Sequence, residues 1–95
     1  MLSISSCYRY YVYAQSCDMR RSFDSLGAIV NNEMVGHLLS GDVFIFISKR
    51  RNQLKLLRWE GDGFGIYHKR LQSGTFPFPE KGELAAWELT VLLEG

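Results

Sequence analysis

The chain has little cysteine, histidine or proline. Cys7 and Cys17 are its only cysteines, and two thiols ten positions apart make no disulfide framework. His37 and His68 are the only histidines. Together the four follow neither CxxC nor HxxxH spacing, which argues against a zinc centre. No apolar run reaches the roughly 18–20 residues of a membrane-spanning helix. The start has no charged segment leading into an apolar stretch, and Arg9 interrupts its apolar residues. The expectation is a cytoplasmic protein with reduced thiols.

Motifs for catalysis are also missing. Gly61-Asp62-Gly63-Phe64-Gly65 is glycine-rich, but it lacks the strand–GxGxxG–helix context of a dinucleotide site and the Gly-Lys-Ser/Thr end of a P-loop. It reads as a β-turn. Glu60 and Asp62 offer two carboxylates beside glycine, too few for a metal-dependent nuclease. No motif surrounds a pairing of Cys17 or Ser16 with His68. The expectation is no enzyme, no cofactor and no metal.

What is present suffices for one folded domain over residues 1–95. Hydrophobic residues make up 46% and aromatics 14%, enough for a core, and at 22% charged residues the chain does not read as disordered. Tyr8–Ala14 (YRYYVYA) favours a strand. Its tyrosines alternate, with Tyr11 and Tyr13 on one face and Tyr8 and Tyr10 on the other. Core packing explains them, with a base-stacking platform as the alternative. Asp18 reads as a helix N-cap, followed by Met19, Phe23, Leu26, Ile29 and Val30 on one helical face. Residues 31–41 read as a connector. Asp42–Ser48 (DVFIFIS) is a continuous apolar run, hence a central strand. Gln53–Trp59 forms a hairpin with it, and Phe64–Leu71 follows through a tight turn at 60–63. Thr75–Phe78, with its prolines, reads as an edge strand or extended exit. Leu84–Glu94 fits a short amphipathic helix. The fold class expected is α+β, an antiparallel meander with one helix after the first strand and one at the C-terminus.

Charge is sorted along this chain. From Lys49 to Leu71 seven bases (Lys49, Arg50, Arg51, Lys55, Arg58, Lys69, Arg70) face two acids, a formal +5 in a chain of net +1. Residues 80–95 carry −3. Sorted basic charge interleaved with aromatics marks a surface for a polyanion. A solvated hairpin with edge lysines, or a protein interface, fits the same residues. Arg20 and Arg21 are expected in the first helical turn, where the helix dipole disfavours them and an anion would offset the cost. Solvated arginines balanced by Asp18 and Asp24 are the alternative.

Several ordered blocks resemble a known family. Asp18-Met19-Arg20-Arg21-Ser22-Phe23-Asp24 with Leu26 looks like its DMR(K/R)xFDGL block. Val43–Phe46 through Lys49-Arg50, Leu54–Leu57, and Trp59–Phe64 resemble its central block. Lys69–Gln72, Gly74-Thr75-Phe76 and Pro79 complete the match. The chain is similar to the TnpB-type small accessory protein, the second reading frame, of the insertion-sequence family numbered sixty-six. It departs at Ser25, where glycine is usual, at Gly65-Ile66, where a tryptophan is common, and at its LLEG end, where relatives often continue. The resemblance implies a bacterial mobile element whose transposition uses this protein beside a separate transposase, with no catalytic residues to carry over. The expected partners are therefore DNA and that transposase. Arg20, Arg21, Lys49, Arg50, Arg51, Lys55, Arg58, Lys69 and Arg70 are the candidate DNA contacts. The alternative is an assembly factor that binds the transposase through the acidic C-terminal helix and Trp87.

Overall fold

The computed structural model describes residues 4–94. Five strands form one mixed sheet in the order β4-β3-β2-β1-β5. They are β1 (Tyr10–Val12), β2 (Val43–Ile47), β3 (Gln53–Trp59), β4 (Phe64–Arg70) and β5 (Glu83–Leu84). Helix α1 (Phe23–Glu33) links β1 to β2, and α2 (Ala86–Leu93) follows β5. A single 3-10 turn, Leu38–Ser40, precedes β2.

Every residue of β2 is buried, because β2 lies between β1 and β3 and both its faces are covered. Side-chain alternation divides the core in two. On one face Tyr11, Tyr13, Phe44, Phe46 and Leu57 pack against Leu26, Ile29 and Val30 of α1. On the other, Tyr10, Val12, Val43, Ile45, Ile47, Leu54 and Leu56 pack against Leu89 and Leu92 of α2, with Phe76. Tyr10, Tyr11 and Tyr13 are all buried, so these three serve the core and form no open stacking platform.

The α+β class holds, and β2-β3-β4 is the expected meander. The sheet as a whole is not one, because β1 runs parallel to β2 and β5 adds antiparallel to the far side of β1. A helix between β1 and β2 is what permits that parallel pairing. Two local expectations also change. First, α1 begins at Phe23 with Ser22 as N-cap, so Arg20 and Arg21 precede the helix. Asp18 accepts the Arg20 N–H at 2.9 Å and closes a turn of its own, a use of aspartate that competes with helix capping. Second, α1 runs to Glu33, into the expected connector. Of the two readings of Thr75–Phe78, the extended exit holds, since the segment joins no strand. Pro77 and Pro79 have no N–H to give a ladder, while the adjoining Glu83-Leu84 does pair, with Tyr10-Tyr11. Helix α2 therefore starts at Ala86, where Glu88 accepts the Ala85 N–H at 2.9 Å.

Candidate nucleic-acid interface

The hairpin between β2 and β3 turns over Lys49–Asn52. Its base is closed by the Ser48 N–H to the Gln53 carbonyl at 3.0 Å, and its turn by the Arg51 N–H to the Ser48 carbonyl at 2.9 Å. Arg51 is left-handed, with φ 59°, the one described residue other than glycine with positive φ. A side chain there costs about 1–2 kcal/mol. The tip is nonetheless fixed. The Phe76 N–H donates to the Arg51 carbonyl at 2.6 Å and the Leu71 N–H to the Asn52 carbonyl at 2.8 Å. Phe76 is fully buried, so this anchor belongs to the core. Lys49, Arg50 and Arg51 are exposed. Among the described residues none of the three makes a side-chain hydrogen bond or ion pair.

The strand register brings further cations to the same end of the sheet. Gln53 lies opposite Arg70, which places exposed Arg70 beside the tip. Lys55 projects onto the α1 face, where its Nζ donates to the Arg21 carbonyl at 2.8 Å. That bond ties the approach to α1 to the sheet and sets Arg20 and Arg21 above this end. Arg21 donates from Nη1 to Ser25 Oγ at 2.6 Å, a partner that glycine at 25 would not supply. Arg20 is engaged by Asp18, with Nη2 2.7 Å from Oδ2. The guanidinium and N–H of Arg20 hold the Asp18 carboxyl down at about 2, below its ordinary 3.8. His68, hydrogen-bonded to Gln53 at 2.9 Å, is shifted below its ordinary value by burial first and by Lys55 second. It therefore adds no charge to this end at neutral pH.

Two of the nine sequence candidates stand apart. Arg58 lies opposite Val43 and Gly65, at the other end of the sheet. Its Nε donates to the Gly41 carbonyl at 3.0 Å and its Cζ sits 4.1 Å above the Tyr8 ring. Lys69 points to the α2 face, where Nζ donates to the Leu93 carbonyl at 2.6 Å. A cation at a helix C-terminus satisfies a carbonyl left open by the last turn and complements the dipole. Trp59 packs edge-on against Phe64, with ring centroids 5.0 Å apart, on the face that it shares with Lys55.

The sequence offered Asp18 as a balance for the arginines, and the structure sets it on Arg20. What sequence reasoning missed is Phe76 as the anchor of the tip. Nothing local signals that bond, because the two residues meet only in the folded sheet. Among the described residues no cluster of three or more His, Cys, Asp or Glu side chains could hold a metal, and no helix is long and apolar enough to cross a membrane.

Fold and surface define a small α+β domain with a cationic end, built around a rigid hairpin tip. The chain belongs to the family described as IS66 Orf2 like protein, whose model matches residues 8–95. It is thus an insertion-sequence accessory protein. Two relatives come from Sinorhizobium fredii (strain NBRC 101917 / NGR234). Uncharacterized protein y4jC is 35% identical over 79 residues, 83% of this chain and 68% of the relative. Uncharacterized protein y4hO is 31% identical over 99 residues, 100% of this chain and 86% of the relative. No solved structure matches.

Proposed function

We propose that this protein is a non-catalytic accessory factor of transposition that binds DNA through the hairpin tip Lys49-Arg50-Arg51. Arg70 and Arg21 flank the tip, and Arg20 and Lys55 lie behind it. The observation that carries the reading is three exposed cations without partners on a loop fixed at both its backbone bonds to the core. A rigid tip loses little conformational freedom on binding, so more of its electrostatic attraction appears as affinity. Contacts from such residues go to phosphates and are sequence-independent and steeply salt-dependent. The test is binding to a labelled duplex carrying an element end, against a scrambled duplex. Salt-dependent binding to both supports the patch, and preference for the element end makes the protein a recognition module. No binding at low salt refutes the reading.

A second reading rests on α2. Trp87 is 69% exposed and Val91 58%, and both line a groove with Pro77 and Pro79. This surface would hold the transposase, with the protein acting as an assembly factor. Co-purification with the element's transposase in the absence of DNA, lost in Trp87→Ala, is its test.

A further inference from the structure

The sheet has one long open edge. At the far side β5 has only two residues, too short to template another chain. At the near side β4 has seven and pairs only with β3. The direction of its free backbone groups follows from the ladder. The Glu60 N–H bonds to the Gly63 carbonyl at one end and the Leu71 N–H to the Asn52 carbonyl at the other. In an antiparallel pair bonded and unbonded positions alternate. Gly65, Tyr67 and Lys69 therefore face β3, while the N–H and C=O groups of Phe64, Ile66, His68 and Arg70 face outward. Natural proteins block such edges with prolines, bulges or inward charges. The Phe64–Tyr67 half of β4 carries none of these.

Charge along this edge is polar in the directional sense. Glu60 and Asp62 stand before the strand, and Lys69 and Arg70 end it. A parallel neighbour of the same sequence would set like charges together. An antiparallel one sets acids against bases.

We infer that β4 is the dimerisation edge of this protein, pairing antiparallel with β4 of a second copy about a two-fold axis at Ile66. In this register Ile66 meets Ile66 of the second copy. Phe64 lies opposite His68 of the second copy, and Asp62 opposite its Arg70. Gly65 lies opposite Tyr67 of the second copy, where its missing side chain leaves a strip that the Glu60 carboxyl fills. Aromatics set across from edge glycines stabilise such pairs. A Cβ at Gly65 would lie 2.9 Å from the Glu60 carboxyl, so Glu60 already covers this strip and is placed to accept from that tyrosine hydroxyl. The interface is isologous and closes at two. The two hairpin tips emerge at opposite ends of the joined ribbon, on the order of 30–40 Å apart from strand rise and spacing. Lys49–Arg51 take no part in the dimer, while Arg70 lies at both surfaces, so sedimentation in the absence of DNA tests the pairing by itself.

Sedimentation velocity of the full chain over a concentration series tests the pairing. The expected mass at high concentration is twice the 10.9 kDa of one chain. His68→Pro removes an outward N–H at an exposed position while leaving the β3 ladder intact, and it should yield a monomer of native circular dichroism. Asp62→Arg, in an exposed turn, should weaken the dimer at least tenfold, and Asp62→Arg with Arg70→Asp should restore it. A wild-type chain that stays at 10.9 kDa throughout overturns the inference. So does a dimer that persists in folded His68→Pro, or one that Asp62→Arg leaves unchanged.

Discussion

The N–H of buried Phe76 and the Arg51 carbonyl meet at 2.6 Å, joining the cationic tip of the β2–β3 hairpin to the hydrophobic core. Arg51 is held there with φ 59°, a conformation that glycine adopts without cost. An arginine at this position is a local conflict between stability and charge, and such conflicts concentrate where a surface has work to do.

Replacing Arg51 by glycine should separate these two roles. Relief of the left-handed strain outweighs the entropy that glycine adds to the unfolded chain, so stability should rise by about 0.5 kcal/mol. DNA affinity should fall, and the slope of log K against log salt should flatten by about 0.9, the share of one phosphate contact. Denaturant unfolding and a salt titration of binding read the two effects.

Arg58 and Lys69 should behave the other way. Arg58→Ala removes a charged hydrogen bond to Gly41 and the contact with Tyr8, for a loss of about 1–2 kcal/mol in stability. Lys69→Ala uncaps Leu93 at the end of α2, for about 1 kcal/mol. Thermal or urea unfolding should register both, while DNA affinity stays near wild type.

Asp18→Asn should raise DNA affinity by freeing Arg20. The carboxyl titrates at about 2 in the folded protein against an ordinary 3.8. Its folded value is depressed, so the stabilisation is present above the ordinary value and lost as pH falls through about 2. Between about pH 5 and 8 the clamp is therefore closed. Binding isotherms of the Asn variant should be tighter and steeper in salt than wild type at every pH in that range.

Much of the fold was legible because local signals agreed. The apolar run of β2, the alternation of β3 and the glycine turn at 60–63 each mark an element with a period or a breaker, and β3 falls on Gln53–Trp59 as read. The start of α1 was misread because Asp18 has two uses for its carboxylate and Arg20 wins it. Strand β5 left no trace, since two residues carry no periodicity and become a strand only against Tyr10 and Tyr11. The candidate site was legible as a list of bases but not as a surface. Which cations point outward depends on carbonyls at Gly41 and Leu93, far away in sequence.

The most direct measurement compares three proteins on one labelled duplex at about 50 and 200 mM salt: wild type, the tip variant Lys49→Ala/Arg50→Ala/Arg51→Ala, and Arg58→Ala. The account predicts steeply salt-dependent binding by wild type and Arg58→Ala alike, with weak and shallow binding by the tip variant. A folded tip variant that binds like wild type would contradict it, as would an Arg58→Ala protein that loses as much affinity as the tip variant.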